Sequence, residues 1–339
     1  MTATPSPGSS PGYPADVGLP AGSTVRPCRL DDADEVMAVM AASSLAAIGE
    51  PDVTRDEVLE SLTAPTMDLV RDTWLVHDVN GQVAAFAMAL DAHPDRAFID
   101  FYLHPDLDDP TYRAVGGWVA ATCLARIREQ LRESGRPSVQ VSSGSYADET
   151  RQIEVLTDVG LSLQRVYWRM KVVLDPDSPI VVDRPEGFTA RILDADDDDD
   201  RRLAVHLMNE TFREHHGFVE HTFEQVWEKN ASSPVYDPTQ WWVGELEAVP
   251  VGLLVGDQSR TDEGAGYVPT LGVLPPFRGR GVARALLQTA FEEFRRRGLT
   301  AAMLGVDSEN TTGATALYES VGMRPTMAIN FYETVVSGR

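Results

Sequence analysis

The chain has 339 residues, 43% of them hydrophobic, which is more than one ordinary domain needs and gives two domains material for a core. Its 52 acidic against 29 basic residues leave a net charge of −23, which argues against nucleic acid or an anionic membrane surface as a general partner. Cys28 and Cys123 lie far apart and make neither a disulfide framework nor a metal-binding spacing, and no apolar run reaches transmembrane length.

Residues 1–22 are polar and rich in Pro, Gly and Ser, without the charged start and hydrophobic stretch of a signal peptide. They read as a disordered tail, which with the absent leader implies a cytoplasmic protein. A first domain, 23–175, opens with a short strand, Val25 to Leu30, and a helix to about Ile48 capped by Asp31-Asp32-Ala33-Asp34. A hairpin from Trp74 to Leu90, a strand from Phe98 to Pro105 and a strand from Tyr167 to Leu174 follow. The Pro and Asp cluster Asp175-Pro176-Asp177-Ser178-Pro179 marks the joint.

The second domain, 180–339, repeats this order. Phe188 to Leu193 is a strand leading to a helix that ends near Phe212; Trp242 to Asp257 is a hairpin; Val268 to Pro275 is a strand. Arg29 and Arg191 lie 162 residues apart, and so do Gly160 and Gly322 in the matching stretches VLTDVGL and LYESVGM. A shared period with the same succession of elements is the signature of duplication, and each copy reads as a mixed α/β layer. The run Asp196 to Asp200 reads as a solvated helix start favoured by the helix dipole.

The most informative stretch is Leu271 to Gly298, LGVLPPFRGRGVARALLQTAFEEFRRRG. An apolar strand ends in Pro275-Pro276 and turns through Arg278-Gly279-Arg280-Gly281 into a helix. Val282, Leu286, Leu287, Ala290, Phe291 and Phe294 share one face of that helix, and Gly298 stands where a cap belongs. Glycines there let several N–H groups and the positive end of a helix converge on an anion. A Walker loop is excluded, because Gly-Lys-Ser/Thr is missing, and a dinucleotide fingerprint is disfavoured by Arg284 where Gly or Ala is needed.

The remaining pattern, Arg278-x-x-Gly281-x-Ala283 after a Val-Leu-Pro strand end, resembles the acyl-CoA pyrophosphate loop of the GNAT N-acetyltransferases. With the repeat, the resemblance covers nearly the whole chain: two tandem GNAT-like domains, similar in length and layout to the mycothiol synthases, bacterial tandem members that acetylate a cysteinyl amino-sugar conjugate. It implies acetyl-CoA as co-substrate, no metal, and a small-molecule amine as acceptor, with a protein N-terminus or a non-catalytic acyl-CoA-binding role as alternatives. Carried over residue by residue, Leu271, Gly272 and Val273 line the pantetheine arm. Arg278, Gly279, Arg280, Gly281, Val282, Ala283 and Arg284 surround the pyrophosphate. Asn310 contacts the acyl donor, and Tyr318 protonates the departing thiolate. Pro269 lies inside the presumed central strand and suits the place where the family's fourth and fifth strands splay apart.

The general base stays open, because Tyr267 to Leu274 contains no carboxylate. Glu263, just upstream, and Glu245, on the preceding strand pair, are candidates, as is the segment from Glu210 to His221. Its Glu214, His215 and Glu220 are expected at the acceptor, while some family members use only water and backbone carbonyls. Trp227, Tyr236, Trp241 and Trp242 are candidates for an acceptor pocket or for core. In the first copy the residues after Pro105 read Asp106-Leu107-Asp108-Asp109-Pro110, with Gly116-Gly117 downstream and Leu156 in the place of Tyr318. Carboxylates there repel a pyrophosphate, so the first domain is expected to be degenerate, a scaffold or acceptor-pocket wall, and the second catalytic. CoA held in the first domain by other contacts stays open.

Overall fold

A computed structural model describes residues 18–338 apart from 65, 94, 215–217, 219, 234 and 310–312. Of the expected tail, residues 1–17 lie outside the described residues. Residues 18–22 do not continue as tail: they form a turn, and Leu19 packs on the first core. The chain divides into two compact units, residues 1–166 with 327–339, and residues 167–326.

In chain order the elements are β1 (Thr24–Arg26), α1 (Ala33–Ile48), α2 (Arg55–Leu62), α3 (Leu69–Asp72), β2 (Thr73–His77), β3 (Val83–His93), β4 (Arg96–Leu103), α4 (Asp109–Ser134), β5 (Ser138–Tyr146), α5 (Thr150–Asp158) and β6 (Ser162–Val173). The second copy supplies β7 (Phe188–Ile192), α6 (Asp198–Phe212), α7 (Phe223–Ser232), β8 (Trp241–Leu246), β9 (Val249–Asp257), β10 (Ala265–Val273), α8 (Val282–Arg296), β11 (Ala301–Asp307), α9 (Ala314–Ser320) and β12 (Arg324–Ser337).

The first unit's sheet runs β1-β2-β3-β4-β5-β12, with β4 and β5 parallel and the other pairs antiparallel. The second runs β6-β11-β10-β9-β8-β7, with β10 and β11 parallel. The last strands are therefore exchanged: β12, from the end of the second copy, pairs with β5, and β6, from the end of the first, pairs with β11. This differs from the expected domains, 23–175 and 180–339, because each final strand takes its hydrogen-bond partner from the other copy.

The alternation of β4 fixes two faces. Ala97, Ile99, Phe101 and Leu103 are buried against α4, while Asp100 and Tyr102 point to the opposite side. In the second unit α8 buries Val282, Ala285, Leu286, Leu287, Ala290, Phe291 and Phe294 on the sheet, and each large apolar side chain so buried contributes ~1.5–3 kcal/mol. Gly298 at φ 83° stops the helix, and the Leu299 N–H returns to the Phe294 carbonyl at 3.0 Å. The Asp196–Asp200 run departs from the expectation of a wholly solvated start. Asp197 caps α6 through the Asp199 N–H at 3.1 Å, but Asp200 is buried and accepts both arms of Arg191 at 2.5 and 2.6 Å.

Candidate active site

The turn between β10 and α8 follows from its residues. Pro275–Phe277 make one 3-10 turn, and the Arg278 N–H still donates to the Pro275 carbonyl at 3.3 Å. Gly279 and Gly281 then take φ of 73° and 84°, a region that a Cβ disfavours by about 1–2 kcal/mol. Gly281 is the N-cap of α8 and offers no side-chain cap; the first bond into the helix is Ala285 N–H to the Gly281 carbonyl at 3.0 Å. The first-turn N–H groups of Val282, Ala283 and Arg284 are thus left to a ligand or to water, at the positive end of the helix. Arg280 is exposed, its guanidinium 5.4 Å over the Phe277 ring. Arg284 donates to Ser320 Oγ at 3.1 Å and lies 3.8 Å from Asp183.

Beside the turn the sheet opens. β10 and β11 pair from Ala265↔Ala301 only as far as Val268↔Leu304, whereas β10 stays paired with β9 to Val273. A register shift in that second ladder falls between Tyr267 and Thr270, around Pro269, where the strand was expected to be interrupted. The Leu274 N–H donates to the Val251 carbonyl of β9 at 2.9 Å; by the two-residue alternation, Leu271 presents its N–H and C=O to the gap and Val273 its N–H, the Val273 carbonyl accepting from Arg278 Nε at 3.1 Å. Gly272 is required by a neighbour: a Cβ there would overlap Thr211 Oγ1 on the last turn of α6.

Tyr318 on α9 is buried in the apolar cluster that also holds Val273, Val282 and Val306, and burial pushes its hydroxyl up to about 12. It is therefore neutral throughout the physiological range and can donate a hydrogen bond to an anion.

Residues 203–323 match the model of the acetyltransferase (GNAT) family. The mycothiol acetyltransferase of Streptomyces griseus is 30% identical over 249 residues, covering 72% of this chain and 74% of that one. The chain belongs to the GNAT acetyltransferase family. A mycothiol acetyltransferase of Streptomyces bingchenggensis is 27% identical over 304 residues, 87% of this chain and 92% of its own. Among solved structures, a GCN5-related N-acetyltransferase from Sphaerobacter thermophilus superposes with a TM-score of 0.81 at 27% identity, covering 94% of this chain and 98% of that one. A tandem GNAT protein from the clavulanic acid biosynthesis pathway shares the fold, with a TM-score of 0.67 at 15% identity over 93% of this chain and 99% of its own.

The protein is thus an N-acyltransferase of a family that uses acetyl-CoA or another acyl-CoA as co-substrate. The turn fits such a ligand: open amides at 282–284, two glycines in left-handed conformation, and an exposed Arg280.

The base candidates of this GNAT unit are not brought together with Tyr318. Glu263 sits in a 3-10 turn before β10, at the end of the strand opposite the gap, and pairs with Arg260 at 3.0 Å. Glu245 faces α6 and accepts from Arg191 Nε at 2.9 Å. Glu214 is exposed and bound to Arg278 at 2.7 Å. Glu220 is exposed and lines, with Arg202, Val205, His206, Asn209, Glu210 and Phe223, a cavity of about 270 Å³ beside α6. His215 and Asn310 lie outside the described residues. The aromatics go to packing: Trp227 stacks on Trp241 with centroids 5.3 Å apart, Tyr236 meets both edge-on, and Trp242 is in the core.

The GNAT layout of the first unit is closed where the second is open. Asp108 caps α4, its own carboxylate accepting the Thr111 N–H at 2.8 Å. Arg151 donates to the Pro105 and Leu107 carbonyls at 3.0 and 2.6 Å. The β4–β5 pairing stops at Phe98↔Ser142, and the buried Gln152 amide spans the opening beyond, donating to Phe101 and Gly144 carbonyls at 3.2 and 3.4 Å. Gly116 lies within α4 where Val155 packs, so it marks helix contact and makes no anion turn. Neither Gln152 nor Thr211 was singled out in the sequence; Gly272 inside a strand was the available signal for the second, since such a glycine marks close approach.

Proposed function

We propose that the unit 167–326 transfers an acetyl group from acetyl-CoA directly to the primary amine of a small molecule, in a ternary complex, as a bacterial cytoplasmic enzyme. The observation that carries this reading is the meeting, at one end of β10, of the open amides that start α8 and the gap between β10 and β11.

The amides from Gly279 to Arg284, with Arg280, hold the pyrophosphate. Leu271 and Val273 present backbone groups to the pantetheine arm, and an N–H on that edge polarises the acyl carbonyl. The neutral amine attacks the carbonyl carbon, the C–N bond forms, and the C–S bond breaks. Tyr318 donates to the sulfur as charge develops on it, and the proton of the new ammonium leaves through water. No carboxylate is assigned as base, since Glu245 and Glu214 are held by arginines and Glu263 lies at the far end of the strand. Relatives named mycothiol acetyltransferase, with the resemblance to mycothiol synthases, make a cysteinyl amino-sugar conjugate the first acceptor to try.

The first unit carries no acyl donor in this reading: Asp108 occupies the helix start and Gln152 the strand opening. The test is thiol release from acetyl-CoA with a cysteinyl amino-sugar conjugate against a panel of simple amines, with calorimetric CoA stoichiometry. One CoA per chain and acetylation of an amine are expected. CoA binding with no amine ever acetylated would leave the regulator alternative in its place.

A further inference from the structure

The three arginines of the turn point in three directions. Arg280 is exposed, and among the described residues no carboxylate partners it; Arg284 lies sideways between Ser320 and Asp183. Arg278 turns inward. Its Nε donates to the Val273 carbonyl at 3.1 Å, its Nη2 to the Thr211 carbonyl at 3.1 Å, and its Nη1 to Glu214 Oε2 at 2.7 Å.

A guanidinium recognises phosphate by offering two parallel N–H groups from one edge of its fork. All three nitrogens of Arg278 already donate, and two of their acceptors are main-chain carbonyls that move only with β10 or α6. The Thr211 carbonyl belongs to the last turn of α6, where carbonyls lack helical partners and the dipole is negative, so a cation suits it. The same residue fills the space left by Gly272. The end of α6 is therefore fastened to β10 twice, by shape at Gly272 and by charge at Arg278. Glu214 is held by Arg278, and His221 by Asn209, which donates to its carbonyl at 2.9 Å and accepts its N–H at 3.0 Å.

We propose that Arg278 is a positioning residue for the acceptor side of the site: it locks the end of α6 and Glu214 against the acyl-donor gap and is not a ligand of the pyrophosphate. The proposal rests on the reading of this turn as the acyl-CoA site. It departs from the expectation that Arg278 and Arg280 serve one anion alike.

The experiment compares Arg278→Gln, Arg278→Lys, Glu214→Gln and Arg280→Gln in the full chain, using calorimetric CoA affinity and steady-state kinetics with acetyl-CoA and the cysteinyl amino-sugar conjugate. Arg278→Gln is expected to raise the acceptor KM about tenfold or more and to leave the CoA Kd within about threefold. Arg278→Lys should recover only part of the acceptor KM, because an ammonium cannot span three acceptors. Arg280→Gln should show the opposite split, a weaker CoA Kd with little change in acceptor KM. A tenfold loss of CoA affinity in Arg278→Gln with the acceptor KM unchanged overturns the proposal. Should Arg278→Gln fail to fold, Glu214→Gln, at an exposed position, carries the test: a higher acceptor KM at unchanged CoA Kd supports the lock, and an unchanged acceptor KM overturns it. If the wild-type chain acetylates no amine, acetyl transfer fails as the function, while the CoA affinities of Arg278→Gln and Arg280→Gln still decide which arginine meets the phosphates.

Discussion

Gly281→Ala is the sharpest test of the turn. At φ 84° an alanine costs about 1–2 kcal/mol, and its Cβ would stand 3.0 Å from Pro185 Cγ, tighter than ordinary contact. That strain has two places to go. If the turn keeps its shape, the loss appears as stability; if the turn relaxes in the free protein, the loss appears as weaker CoA binding, about 5–30-fold for that energy. The two losses together should recover the strain, so thermal unfolding and CoA calorimetry are measured on the same samples. In unfolding, about 2–4 °C per kcal/mol is expected for a unit of this size. Gly279→Ala is the control, because it has the same sign of φ, 73°, but nothing within 4 Å of its Cβ. The difference between the two variants isolates the Pro185 contact. Gly281→Glu adds a full charge beside the amides and should abolish CoA binding at concentrations where Gly281→Ala still binds. Wild-type CoA affinity and wild-type stability in both alanine variants would refute the assignment of this turn.

Tyr318→Phe should lower kcat by roughly a hundredfold and leave the CoA Kd unchanged, read by thiol release and calorimetry. Gly272→Ala drives a methyl group into Thr211 and should destabilise the protein by about 1–3 kcal/mol, with Thr211→Gly in the same chain recovering part of the loss on unfolding. In the first unit, burial pushes Asp100 to about 6 and Glu149 to about 7. Both values lie above those of an unfolded carboxylate, near 3.9 and 4.3, so the folded state binds more protons across that window. Stability contributed by these groups is present at low pH and is lost as pH rises through about 6 to 7. Asp100→Asn and Glu149→Gln should therefore each flatten the fall of the melting temperature between roughly pH 4 and 7. Asp72→Ala removes the buried acceptor of Arg126 Nε, at 2.7 Å, while Glu129 still pairs with Nη1 at 2.8 Å, and should cost about 1–3 kcal/mol on denaturant unfolding.

The second unit's turn was legible because its constraints are local. Two glycines, two prolines and a 3.6-residue apolar period lie within Leu271 to Gly298, and each acts on its own backbone; Pro269 likewise marked the place where the β10–β9 register shifts. The contacts of Arg278 were not legible for the opposite reason. Its side chain is held by Thr211 and Glu214, more than sixty residues earlier in the chain, and residue spacing carries no trace of that contact. The same holds for Asp200, which the pattern places on a solvated helix start and which Arg191 draws into the interior.

The strand exchange shows where sequence pattern stops. Alternation records which face of a strand is buried, and it is unchanged when the strand is paired with a different neighbour. β6 and β12 close equivalent stretches of the two copies; the choice of β5 for β12 and of β11 for β6 is made by backbone ladders and, for β12, by Glu333, which accepts from Gln140 and from Ser142 Oγ at 3.0 Å, contacts that alternation does not record. A consequence can be measured. Because Met327 to Gly338 belongs to the first unit, deleting residues 327–339 removes the antiparallel partner of β5 and exposes Val139 and Val141. Limited proteolysis of that truncated chain should cut first within the first unit, at β5, while the second unit, from Tyr167 to Thr326, keeps its protection and its CoA affinity. Early cleavage in β10 or α8, with β5 still protected, would mean that β12 supports the second unit and that the ladder with β5 is not what holds it.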